Sequence, residues 1–98
     1  MKVFWSPLAI DRVSEIAEYI ALDNVAAAEA WVEAVFRKVD DLESFPKTGR
    51  VVPEIGDQTI RELLYGNYRI SYRLEKERIA MLTIRHGKQI LPVAEIKA

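Results

Sequence analysis

Cysteine is absent from this chain, histidine occurs once, and no apolar stretch is long enough to cross a bilayer. Without cysteine there is no disulfide framework and no thiolate metal site. A lone His86 cannot build a multi-histidine metal site, and no cofactor is expected. A membrane span needs roughly 18 consecutive apolar residues, and nothing here approaches that length. The segment Met1 to Pro7 is too short to hold the apolar core of a signal peptide. The expectation is a soluble, cytoplasmic protein without a membrane partner. Glycine and proline number four each, too few for a low-complexity or collagenous chain.

What is present points to a globular fold. Half of the 98 residues are hydrophobic and 30% are charged. This length predicts one domain spanning residues 1–98, small enough to bury only about two-thirds of its unfolded surface. The net charge is −1 but uneven: residues 1–48 hold five basic and nine acidic side chains, residues 49–98 nine basic and six acidic. A sequence pI near 5.8 argues against strong unaided nucleic-acid binding, which favours domains with a pI above about 9. A local basic patch in the second half remains compatible with it.

Periodicity predicts an α+β fold. Lys2–Trp5 reads as a short strand. Ser6-Pro7 then starts a helix, with serine as cap and proline at a tolerated first position. Ala9, Val13, Ile16, Ala17 and Ile20 form its apolar stripe. Asp23-Asn24 breaks the run and offers the next cap. A second helix from about Val25 to Glu43 carries Ala28, Trp31, Val32, Val35, Phe36, Val39 and Leu42. The short break predicts an antiparallel helical hairpin, which Phe45-Pro46 ends. Lys47 to Arg50 reads as a turn and Val51 to Glu54 as extended chain. From Thr59 the period changes to two, predicting strands over Thr59–Tyr65, Tyr68–Leu74 and Arg78–Arg85 in a three-stranded antiparallel meander. The tail from Ile90 to Ile96 reads as a last edge strand or a packed extension.

The strand Tyr68–Leu74 carries the most information. Tyr68, Ile70, Tyr72 and Leu74 alternate with Arg69, Ser71 and Arg73, implying one buried face and one wet or partner-facing face. With Arg61 and Arg85 on flanking strands, four arginines could share that second face. Its simplest reading is a solvated surface with Glu62, Glu75 or Glu77 as salt partners. Its functional reading is a patch that grips carboxylate or phosphate. His86 and Lys88 follow the last strand and could move a proton, although no nucleophile, phosphate loop or zinc helix accompanies them. Apolar surface left over on the helical hairpin suits a partner segment.

In order along the chain, Trp5-Ser6-Pro7, Ile16-Ala17-Glu18-Tyr19-Ile20, Asp23-Asn24, Phe45-Pro46, Gly49-Arg50, Arg61-Glu62, Tyr68 to Arg73 and Ile84 to Lys88 resemble the RelE/ParE toxin superfamily. The resemblance covers nearly the whole chain. It implies the toxin of a type II toxin–antitoxin pair, a system type tied to plasmid stabilisation and growth inhibition. It also implies a cognate ParD-like antitoxin that wraps the toxin, with operator DNA reached only through the antitoxin. An amphipathic, acidic wrapping segment would suit the apolar helices and cationic sheet.

Two activities occur in the superfamily. ParE-like members inhibit DNA gyrase and cut nothing. RelE-like members cut mRNA on the ribosome with a cluster of lysines and arginines. Here Arg69 matches the phosphate-gripping arginine, but Gln89 stands where the nucleases carry another arginine, and no tyrosine follows it. The helical hairpin resembles ParE, although Lys88-Gln89-Ile90 replaces the arginine-rich continuation frequent there. The reading is therefore a ParE-like gyrase inhibitor with Arg61, Arg69, Arg73, Arg85, His86 and Lys88 contacting target or antitoxin. The alternatives are a RelE-like endoribonuclease, with Arg69 and Lys88 on phosphate and His86 as acid or base, and a degenerate toxin that retains only antitoxin binding.

Overall fold

Ser6 sets the fold going. Its backbone is extended, its Oγ accepts from the Ala9 N–H at 3.0 Å, and Pro7 occupies the first helical position. The computed structural model describes residues 1–89 and 93–97. Strand β1 (Lys2–Trp5) leads into helix α1 (Pro7–Ala21). Asn24 then caps α2 (Val25–Asp40), its Oδ1 accepting from the Ala27 N–H at 3.0 Å. Arg37 and Lys38 sit in the last turn of α2, where cations complement the helix dipole. A 3-10 turn, Asp41–Glu43, comes next. Strands β2 (Arg50–Val51), β3 (Ile60–Tyr65), β4 (Tyr68–Leu74) and β5 (Arg78–His86) complete one sheet in the order β1-β5-β4-β3-β2. β1 runs parallel to β5, and the other pairings are antiparallel. The fold is α+β, with both helices on one sheet face.

That face holds the main core. Ala9 and Val13 of α1, with Trp31, Val35 and Val39 of α2, pack on Leu63, Ile70, Tyr72, Ile79, Met81 and Ile84. Val35, Val39, Ile70 and Ile79 are fully buried. Each such side chain contributes about 1.5–3 kcal/mol of burial free energy, which a short chain cannot spare.

The opposite face departs from the alternation read in the sequence. Val52, Ile60, Ala80, Leu82 and Ile96 form a second apolar cluster there, and Glu62, Ser71 and Thr83 are buried beside it. A β-bulge between Ser71 and Tyr72 contributes to this. Ser71 pairs with Thr83 and Tyr72 with Met81, so Leu82 is an extra residue turned to the same side as Thr83. β5 is thus covered on both faces, in keeping with the unbroken apolar run Ile79 to Leu82.

The cover comes from two segments whose conformation differs from the one their periodicity predicts. Extended chain is expected from Val51 to Glu54, yet only Arg50–Val51 is strand. Beyond it the chain turns, the Ile55 and Gly56 N–H groups donating to the Val52 carbonyl at 3.1 and 2.9 Å. The tail does not form an edge strand where it is described. Val93–Lys97 is a short helix, α3, that buries Ile96 in the second cluster, and the expectation for Ile90 to Pro92 lies outside the described residues.

Two glycines are required by geometry. Gly66 (φ 57°) is the first central residue of the two-residue β3–β4 turn, as in a type II′ hairpin. At Gly49 an added Cβ would lie 2.6 Å from the Tyr72 hydroxyl oxygen and 2.7 Å from the Glu62 carbonyl. Among the described residues no helix is long and apolar enough to cross a membrane.

Candidate functional site

The β3–β4 turn places the end of β3, the start of β4 and the end of β5 side by side. Leu64 pairs with Arg69, Tyr68 with His86, and Arg69 with Arg85. Lys88 lies two residues beyond His86. The result is a cleft of about 320 Å³ walled by Arg50, Leu64, Asn67, Arg69, His86 and Lys88, with no carboxylate among the described residues that line it. Tyr68 links it to the core, with its ring 5.3 Å from Trp31 and 5.4 Å from His86.

Arg69 is far less available than a surface cation. Its Nε and Nη2 donate to Glu62 at 2.7 and 3.2 Å, and its Nη1 and Nη2 donate to Glu54 at 2.7 and 2.9 Å. Only 12% of its side chain is exposed, and Glu62 is completely buried. Arg50 Nε donates to the same Glu62 carboxylate at 2.7 Å from the next strand. The Arg69 guanidinium holds Glu54 well below the ordinary carboxylate range, at about 2, and the two carboxylates push the arginine upward in turn. The expectation that Arg69 stands on a wet face is thus corrected. It lies on the second face, in a clamp of two carboxylates.

Arg85, its cross-strand neighbour, turns to a different acid. Glu95 of α3 accepts from Arg85 Nη2 at 2.8 Å, Arg12 Nη2 at 2.7 Å and Thr83 Oγ1 at 2.8 Å. Arg12, then burial opposing it, then Thr83 and Arg85 set the Glu95 carboxyl, whose net position is about 2. Separate acids for Arg69 and Arg85 relieve the repulsion of like charges directly opposite in a sheet. Arg12, Arg85 and His86 also line a neighbouring cavity of about 400 Å³ on the α1 side of β5.

The remaining site candidates separate. Arg73 lies toward the other end of β4, paired with Glu75 at 3.0 Å, and Glu75 is lowered by Arg78 first and Arg73 second. Arg61 does not share the arginine face. It pairs across strands with Tyr72, which faces the helices, and its Nη1 donates to the Gly49 carbonyl at 2.9 Å. The four arginines therefore do not form one patch. His86 and Lys88 do meet at the cleft: His86 Nδ1 accepts from the Lys88 N–H at 3.1 Å, so the neutral ring carries its proton on Nε2. Arg50, Leu64 and Asn67 of the cleft wall are not among the candidates drawn from the sequence. Arg50 reads there as turn, and half-exposed Leu64 as an ordinary strand residue.

A second concavity lies between the helices. Ala17, Ala21, Val25, Ala28 and Val32 floor a groove of about 510 Å³, and Glu18, Glu29 and Glu33 rim it. Leu22 and Tyr19 stand largely exposed near the hairpin tip.

Known proteins resemble this chain in sequence and in fold. Residues 3–91 match the family described as the ParE toxin of the type II toxin–antitoxin system parDE. A candidate toxin of Sinorhizobium fredii (strain NBRC 101917 / NGR234), Y4kP, is 33% identical over 93 residues, covering 93% of each chain. A solved structure titled as the chromosomal ParDE toxin–antitoxin system from P. aeruginosa superimposes with a TM-score of 0.73 at 20% identity, covering 90% of this chain and 97% of that one, and shares the fold. With a family match along almost its whole length, this chain belongs to the ParE toxins of type II toxin–antitoxin systems.

Proposed function

We propose that this chain is a toxin that binds and inhibits DNA gyrase and is neutralised by a ParD-like antitoxin, through which the complex reaches operator DNA. The state of Arg69 carries the choice of target. In the nuclease reading this arginine would steady a phosphate, yet four of its donor contacts go to Glu54 and Glu62. His86 Nδ1 is already an acceptor for the Lys88 N–H. The cleft can attract an anionic surface through Arg50 and Lys88, but it offers no free guanidinium beside a free base. That chemistry fits a binding inhibitor.

The groove between α1 and α2 supplies the antitoxin surface. Its small, apolar floor admits a helix at close approach, as in helix-in-groove recognition. Its acidic rim calls for basic side chains on that helix. An acidic segment, the kind expected from the sequence, suits the cleft instead. Two surfaces of opposite sign favour a partner whose charge changes along its length.

The test is a supercoiling assay with purified gyrase beside a ribosome-programmed mRNA cleavage assay. Loss of supercoiling with intact mRNA is expected, and cleaved mRNA with normal supercoiling would reverse the assignment. For the groove, Val25→Glu places an acid where an exposed valine stands at the start of α2, a position that tolerates acids. Antitoxin affinity should fall roughly tenfold or more, as for one lost apolar contact and a carboxylate that has to be desolvated against the docked helix. Unchanged affinity by calorimetry would remove the groove from the interface.

A further inference from the structure

The slot that holds α3 combines a cationic half with an apolar half. Glu95 and Ile96, neighbours on a helix of five residues, are seated in two different environments. The Glu95 carboxylate takes donors from Arg12 on α1 and from Thr83 and Arg85 on β5, all within 2.7–2.8 Å by their best contacts. Ile96, fully buried, sits among Val52, Ile60, Ala80 and Leu82. Two guanidinium groups converge on the Glu95 carboxylate, and Arg12 is held in addition by Glu15 at 3.0 Å. The Arg85 Nε is buried without a partner among the described residues, and the cavity of about 400 Å³ that Arg12 and Arg85 line opens alongside. The slot therefore keeps both a spare donor and room next to its resident. A single helical turn has little stability of its own. What holds α3 is a pair of side-chain contacts that another segment could reproduce.

We propose that the Arg12–Thr83–Arg85 slot is a docking site for a polypeptide partner presenting a carboxylate followed by an aliphatic residue, and that α3 occupies it as a built-in copy of that ligand. A carboxylate on a peptide is favoured over a nucleic-acid phosphate because the apolar half of the slot needs an aliphatic neighbour, which a phosphate backbone does not supply. The proposal is independent of gyrase as target.

The probe is a synthetic peptide with the sequence of residues 93–97, acetylated and amidated, titrated into the full chain carrying Glu95→Ala and Ile96→Ala. The arginine Nε–H NMR signals of Arg12 and Arg85 report the contact. They should shift on titration, and a peptide with glutamine in place of its glutamate should bind roughly tenfold more weakly, as for one charge-assisted hydrogen-bond set. Equal binding of the two peptides, or no shift of either signal, would overturn the site. Should loss of Ile96 unfold the chain, Glu95→Gln alone keeps the apolar half, and the acidic peptide must still move both signals more than the glutamine peptide. Inorganic phosphate is the last arm. If it shifts both signals and the acidic peptide does not, the slot is a phosphate site and the polypeptide reading fails.

Discussion

At the scale of single residues, Arg69 decides how mutagenesis of the cleft must be interpreted. Its removal leaves Glu62, which is completely buried, with Arg50 as its remaining cationic partner. Stranding a buried charge costs about 3–5 kcal/mol, and Arg50 offsets part of that. Arg69→Ala should therefore lower stability by roughly 2–3 kcal/mol, seen as a lower urea midpoint. Lost toxicity in that variant would report folding as much as contact. Glu54→Gln, on the exposed side of the clamp, should change stability by less than about 1 kcal/mol. If Arg69→Ala unfolds at the wild-type midpoint, the clamp does not support the fold. Tyr72 is a second residue of this kind. Its hydroxyl donates to the Pro46 carbonyl at 2.8 Å and accepts from the Gly49 N–H at 2.9 Å, pinning the loop before β2. Tyr72→Phe should cost about 1–3 kcal/mol by stranding the buried Gly49 donor, and Gly49→Ala should destabilise through the close approach to Tyr72 and the Glu62 carbonyl. Equal urea midpoints for wild type and either variant would contradict that reading.

At the scale of elements, the helical hairpin was legible because its signals are local. Ser6 and Asn24 cap the two helices from the residue just before each, and the apolar stripes are long enough to fix both helix faces. Asn24→Ala should accordingly cost about 1 kcal/mol, read as a lower thermal midpoint, while Asn24→Ser should be close to neutral. A wild-type midpoint for the alanine variant would show that the Asn24 cap adds nothing in this context. The strands β3 to β5 were legible too, since alternation marks their faces and the short breaks between the runs mark their ends. The features that escaped depend on contacts distant in sequence. Pattern alone groups Arg61 with the other arginines because it does not give the cross-strand partner, and the pairing with Tyr72 sends Arg61 to the helix side. The bulge at Leu82 hides behind an apolar run that any buried strand would show. Val93–Lys97 is too short for a period to be recognised, and its helical state depends on a slot assembled from α1, β3 and β5. The clamp on Arg69 obeys the same rule. Glu62 is nameable as a salt partner from its place on the neighbouring strand, whereas Glu54 arrives from a turn that reads as extended chain.

At the scale of the whole molecule, acidic groups tie the layers together. Glu54 joins the β2–β3 connection to β4 through Arg69, and Glu95 joins α3 to α1 and β5. Both carboxyls sit at about 2 in the folded chain against an ordinary value of 4.5. A depressed carboxyl means that the unfolded chain binds the proton first, so stability rises with pH between these values. Their contribution is complete above about pH 5, declines as pH falls through 4.5, and is gone below about 2. Glu75, lowered by Arg78 and Arg73, adds in the same direction. The thermal midpoint should therefore fall progressively as the solution is taken from pH 5 toward pH 2. Glu95→Gln should lower the midpoint at neutral pH and flatten the acidic descent, because the glutamine has no proton to gain and the Arg12 and Arg85 charges lose their shared partner. Parallel pH profiles for the wild type and this variant would mean that Glu95 does not couple protonation to the docking of α3. A flattened profile, with the difference between the two proteins vanishing near pH 2, would locate the acid sensitivity of the fold in the ion pairs that hold its covering segments to the sheet.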